Sequence, residues 1–152
     1  MFMTSPAIAI RPIAFEERSA WEPLWKGYQA FYQVDLSDET TDVTWERLHD
    51  PAEPMGVLGA YVDGKLTGIV HYIFHRSCWT IGNYCYLQDL FVAEGARNLG
   101  LGRALIAAVE AKARQEGASR LHWLTQETNA VGRALYDKVA ERSGFIQYRK
   151  IL

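Results

Sequence analysis

Cysteine is scarce in this 152-residue chain, where Cys78 and Cys85 are the only thiols. Two cysteines make no disulfide framework, and their spacing matches no cysteine metal motif. Inert thiols in a reducing cytoplasm are the expectation. Long apolar runs are missing, and no charged-then-apolar leader is seen, so neither a membrane span nor a secretion signal is expected. Positive charge is not in excess either. The formal net charge is -2 with no basic stripe, which speaks against a nucleic-acid partner. The four histidines are scattered. His71 and His75 would share a helix face, but Thr67 to Phe74 reads as a strand, where four residues span roughly 13 Å. No metal is expected.

What is present is globular material, 49% hydrophobic and sufficient for one core, so a single domain over residues 1–152 is expected. Ala7 to Ile13 alternates as a first strand. Phe15 to Tyr32 sets Trp21, Leu24, Trp25, Tyr28 and Phe31 at helical spacing, and Leu36-Ser37-Asp38-Glu39 breaks it. Thr40 or Thr41 is expected to cap a second helix through Trp45 and Leu48 to Asp50-Pro51. Met55 to Val62 and Leu66 to Phe74 flank Asp63-Gly64, a hairpin signal. Tyr84 to Val92 is apolar on both faces except at Gln88 and Asp89, as suits a covered central strand. A helix from Gly100 to Glu116 stops at Gly117. Arg120 to Thr125 is a strand, Asn129 caps a helix that Gly144 ends, and Phe145 to Leu152 closes as a strand. The order predicts an α/β fold with a mixed sheet, antiparallel at its N-terminal side, and one parallel crossover.

Between the central strand and its helix stands Arg97-Asn98-Leu99-Gly100-Leu101-Gly102-Arg103. A helix start offers free backbone N–H groups and the positive end of the dipole, which together make an anion site. The expected anion is a pyrophosphate. A Walker loop is excluded because no Lys-Ser/Thr follows the glycines. A dinucleotide fingerprint is excluded because Leu105 stands where its third glycine belongs. The remaining alternative is that the glycines only let the helix start close against the sheet. Arg97 and Arg103 favour the anion, since each adds a charge-assisted contact.

Leu87-Gln88-Asp89-Leu90-Phe91-Val92, the Arg97-x-x-Gly100-x-Gly102 turn, and Asn129 with Tyr136 seven residues on resemble a GNAT-type N-acetyltransferase. The likeness covers most of residues 57–148. Within the superfamily it is nearest to the histone- and polyamine-acetylating yeast branch and its bacterial relatives. The resemblance implies the GNAT fold, strand-helix-helix-three strands-helix-strand-helix-strand, with acetyl-CoA as co-substrate. It implies that Arg97, Asn98, Leu99, Gly100, Leu101, Gly102 and Arg103 wrap the pyrophosphate, mostly through backbone N–H groups. Side chains at 100 and 102 would block that approach. It implies that Leu90, Phe91 and Val92 pair with the pantetheine arm where the sheet splays open. Asn129 would touch the arm, a role compatible with a plain helix cap. Tyr136 matches the usual general acid, which protonates the leaving thiolate, and the Leu90 N–H would meet the oxyanion.

The base stays open. Polyamine-acetylating relatives often carry glutamate where Gln88 stands, and glutamine accepts no proton. Asp89 alternates to the opposite face unless a β-bulge intervenes. A structural Asp89, or a water chain to Asp89 or Glu127, are the alternatives.

In this fold the first two helices shape the acceptor side. Trp21, Trp25, Tyr28 and Tyr32 lie near one helical face, and Asp35, Asp38, Glu39 and Asp42 follow. Aromatics with carboxylates suit a cation, although helix core and caps explain the same residues. Trp25, Tyr28, Tyr32, Glu39 and Gln88 are the expected acceptor residues, with Trp79 and Tyr84 near them. The expected reaction is acetyl transfer to a small primary amine, such as a polyamine or amino acid, by direct attack in a ternary complex. Protein lysine or N-terminal acetylation and a non-catalytic acyl-CoA-binding regulatory module are the alternatives. A closing edge strand pairing across a two-fold axis would give a homodimer.

Overall fold

A computed structural model describes residues 4–152. β1 (Ile8–Pro12) pairs antiparallel with β2 (Met55–Val62), and two helices lie between them in the chain. α1 (Arg18–Phe31) follows a short 3-10 turn at Phe15–Glu17. α2 (Asp38–His49) begins earlier than the expected Thr40 or Thr41 cap. Ser37 is the cap instead, its hydroxyl accepting from the Thr40 N–H at 3.1 Å. Asp63 and Gly64 take φ of 49° and 81°, as a two-residue hairpin between β2 and β3 (Lys65–His75) requires.

β4 (Tyr84–Val92) lies between β3 and β5 (Arg120–His122), and the sheet order is β1-β2-β3-β4-β5. Only β4 and β5 run parallel, joined over one face by α3 (Leu101–Gln115). α4 (Ala130–Val139) follows β5. Alternation splits the apolar residues between two cores. Val57, Leu66 and Ile69 meet Trp21, Trp25, Trp45 and Leu48 of α1 and α2. Val70, Tyr72, Cys85 and Leu87 meet Leu101, Leu105, Ile106 and Val109 of α3. The sheet is thus covered on both faces, which is why β4 reads as almost continuously apolar.

β4 changes phase midway. Cys85 and Leu87 share the α3 face with Leu90 and Val92, which strict alternation forbids. Tyr72 stands opposite Leu87 and His71 opposite Asp89, so Gln88 is the extra residue of a β-bulge.

Three further readings depart from expectation. β5 covers only Arg120–His122, and α4 ends at Val139, well before Gly144. Phe145 to Leu152 joins no sheet among the described residues. A strand is defined by its neighbour's hydrogen bonds, and within one chain this segment reaches none. No helix among the described residues is long and apolar enough to cross a membrane.

Candidate active site

The bulge at Gln88 organises the site. It leaves Gln88 exposed and turns Asp89 inward, where only 7% of the residue is accessible. A carboxylate in such a place needs hydrogen-bond partners. His71 Nδ1 lies 2.9 Å from Asp89 Oδ2, and Trp21 Nε1 donates to His71 Nε2 at 3.0 Å. An indole N–H only donates, so Nε2 must accept and the ring proton sits on Nδ1. The chain of donation therefore runs Trp21 to His71 to Asp89, and it fixes the carboxylate's orientation. Three phenols gather round it. Burial raises the Tyr28, Tyr32 and Tyr86 hydroxyls above their ordinary pKa, and the Asp89 charge raises each further. All three stay protonated, hence able to donate.

A cavity of about 530 Å³ opens over Asp89, lined by Trp25, Tyr28, Tyr32, Gln88 and Arg149 among others. Trp25 and Tyr28 stack with centroids 5.4 Å apart, and Tyr28 meets Tyr32 at 4.9 Å. Four expected acceptor residues, Trp25, Tyr28, Tyr32 and Gln88, thus come together. Glu39 does not: it is exposed on the first turn of α2 and lies outside the cavity. Asp35 and Asp38 are likewise exposed, and Asp42 pairs with Arg18. Trp79 is exposed on the β3–β4 connection and Tyr84 is buried, so neither lines the cavity. The residues unforeseen from sequence are His71, as the partner of Asp89, and Arg149.

The other side of β4 presents its backbone. Ala93 N donates to Thr67 O at 2.8 Å. By alternation Phe91 and Asp89 then face β3, while Leu90 and Val92 turn their N–H and C=O groups to the opposite edge. β5 pairs with β4 only from Tyr84 to Tyr86, so the sheet splays and that edge stands open beside Leu90 and Val92. An extended polar chain can bind there as an added strand.

The open edge leads into the glycine turn. A 3-10 turn at Glu94–Leu99 runs to Gly100, whose φ of 72° and ψ of 21° are left-handed, and no side chain caps α3. Its first amides have no intrahelical acceptor. Arg97 and Arg103 are exposed with no acidic partner among the described ion pairs, and Arg97 Nε reaches Val92 O at 3.4 Å. The two glycines differ in purpose. A Cβ on Gly100 would meet nothing within 4 Å, so its need is the backbone angle. A Cβ on Gly102 would come 3.3 Å from Leu135 Cδ2, so Gly102 also lets α4 close on α3. Leu101 is 1% exposed, which leaves only its backbone for a ligand. Free amides, a helix start and two guanidinium groups without an acidic partner among the described ion pairs fit a diphosphate.

Asn129 caps α4, its Oδ1 accepting from Gly132 N and its Nδ2 donating to Thr125 Oγ1, both at 3.1 Å. Tyr136 is half-buried and meets Trp123 edge-on at 5.6 Å. Burial raises its phenol above the ordinary value, with Tyr32 of the cavity adding to the rise.

The profile of the acetyltransferase (GNAT) family matches residues 21–140. The D-amino-acid N-acetyltransferase HPA3 of Saccharomyces cerevisiae is 32% identical over 150 residues, covering 97% of this chain and 93% of that protein. A thialysine N-epsilon-acetyltransferase of Caenorhabditis elegans is 32% identical over 98 residues, 63% of this chain and 61% of that one. Among solved structures, the aminoglycoside N-acetyltransferase AAC(6')-Iy in complex with CoA superposes with a TM-score of 0.82 at 19% identity, covering 99% of each chain.

Proposed function

The chain belongs to the acetyltransferase (GNAT) family and is an acyltransferase enzyme, and from that premise we propose that it moves an acetyl group from acetyl-CoA to the amine of a small molecule, an amino acid or a polyamine. One observation carries this reading. β4 holds a buried carboxylate in a cavity through Asp89 and offers an open backbone edge through the adjoining Leu90 and Val92. An acyl donor laid along that edge ends beside an amine held at that carboxylate.

When bound, acetyl-CoA supplies a thioester carbon open to attack. In this reading the backbone amides of residues 98–103 hold its diphosphate, Arg97 and Arg103 add charge, and Leu90, Phe91 and Val92 hold the arm. Asn129 keeps α4 in place beside it. Asp89 pairs with the acceptor amine inside the aromatic wall of Trp25, Tyr28 and Tyr32, while Gln88 offers only an amide. A free alkylammonium, near pKa ~10, keeps its proton at neutral pH and has no lone pair to attack with. Attack is therefore by the neutral amine, and Asp89 takes the proton as the new C–N bond makes the nitrogen acidic. The Leu90 N–H faces the charge growing on the carbonyl oxygen. Tyr136 gives its proton to the thiolate as the C–S bond breaks.

Two features support an amino acid as acceptor. Arg149 shares the cavity with Asp89 and would answer a substrate carboxylate, and relatives are named for D-amino acids and thialysine. The same reading takes residues 1–152 as one domain acting in the cytoplasm as a homodimer, without metal or nucleic acid. Free thiols at Cys78 and Cys85 suit a reducing compartment.

Release of free thiol from acetyl-CoA, followed across amino acids, polyamines and lysine peptides, tests the proposal. Release with amino acids or polyamines and not with peptides is expected. Release with peptides alone would make proteins the acceptor, and CoA binding without release for any amine would make the chain a sensor.

A further inference from the structure

Gln29 is a polar side chain on the apolar face of α1. Helical spacing sets Trp25, Tyr28, Gln29 and Tyr32 on one face, and all four line the cavity over Asp89. Gln29 is only 3% exposed, and a buried amide needs partners at both ends. Its Oε1 accepts from Leu36 N at 3.0 Å. A backbone N–H only donates, so that bond fixes which way the amide points. Gln29 Nε2 then has no partner among the described residues. One turn back, Trp25 is 6% exposed, and its Nε1 is likewise shielded from water and unpartnered. Both nitrogens can only donate. Trp25 also stands edge-on to His71, with centroids 4.9 Å apart, and so lies beside the group that orients Asp89.

The charges of the cavity agree. Asp89 is the only carboxylate among its described lining residues, and Arg149 is the only guanidinium or ammonium. One amine of an acceptor can meet Asp89. A polyamine brings a second ammonium, for which the wall holds a cation and unpaired donors but no second anion. An amino acid brings a carboxylate, which accepts from all of them. We propose that Gln29 Nε2 and Trp25 Nε1, with Arg149, form a carboxylate subsite, and that the acceptor is an amino acid rather than a polyamine. This rests on the enzymatic reading above and narrows it. Asp89 takes the amine and the subsite takes the acid, so both ends of the substrate are held and oriented. An amine without the carboxylate leaves the donors buried and unpaired, which disfavours it.

The ratio of kcat/KM for an amino acid to that for its decarboxylated amine reads the subsite alone. Thiol release from acetyl-CoA is followed with alanine of either hand against ethylamine, and with lysine against cadaverine. In the unaltered chain the ratio should reach about 10² in at least one pair. Trp25→Phe keeps the ring that stacks on Tyr28 and loses only the N–H. Gln29→Glu keeps the oxygen that accepts from Leu36 and puts a negative oxygen where the donor stood. Each should lower the ratio about tenfold or more. Residues that merely pack would lower both substrates alike and leave the ratio where it was. Decarboxylated amines taken as readily as the amino acids overturn the proposal, as does a ratio unchanged in either folded variant. Both results leave acetyl transfer standing. Release with no amine at all would instead fail the enzymatic reading, and the subsite with it.

Discussion

Asp89→Asn is expected to lower kcat/KM for the acceptor amine about 10²- to 10⁴-fold, the span ordinary for loss of a proton-accepting group. Asparagine keeps the shape and still accepts from His71 Nδ1, so the Trp21–His71 chain survives. What disappears is the charge that holds the amine and the oxygen that takes its proton. Affinity for CoA should stay within about twofold, because the groups assigned to it are backbone on the opposite edge of β4 and in the glycine turn. Raising pH toward ~10 adds neutral amine for both enzymes alike, so the deficit should persist across the profile. Steady-state kinetics against pH, with calorimetry for CoA, reads both parameters. Unchanged kcat/KM would reduce Asp89 to a structural residue, as would equal loss of amine turnover and CoA affinity.

The second large effect belongs to Tyr136. Tyr136→Phe should lower kcat about 10²-fold or more with CoA affinity nearly unchanged, since the ring that meets Trp123 is retained. An acetyl thioester of a more acidic thiol should recover much of the loss, because such a thiolate leaves without a proton. The pH profile gives an independent reading. Burial holds the phenol above its ordinary value of 10.0. The acid form is therefore present throughout the neutral range and is lost only as pH rises through the raised value. Its alkaline limb belongs above pH 10, and a Tyr136-dependent limb below that would contradict the assignment.

Much of this was legible from sequence because local chemistry decided it. Asp63-Gly64 could only be a tight turn, and Gly117 does stand at the left-handed position expected where α3 stops, whereas the left-handed angle at Gly100 was not foreseen. The possibility that Gln88 and Asp89 both reach one cleft depended on a bulge, and the register shift at His71/Tyr72 supplies it. His71 was less legible. A single histidine in an apolar strand reads as core until the bulge sets which β4 residue lies across from it. Arg149 lay hidden by distance along the chain.

Glu39 and the closing strand misled for opposite reasons. The acids after Tyr32 are neighbours of the aromatic cluster in sequence, but Ser37 starts α2 there and turns Glu39 to solvent. Phe145 to Leu152 has true strand composition, yet composition cannot supply the neighbouring edge that turns an extended segment into a strand.

A crystal structure with coenzyme A bound decides most directly between this arrangement and any other. Its diphosphate oxygens should lie about 3 Å from backbone amides of residues 98–103, with the arm along Leu90 and Val92 and the thiol on the side of Asp89. A diphosphate held away from that turn, or an arm that leaves the β4 edge bare, would contradict it.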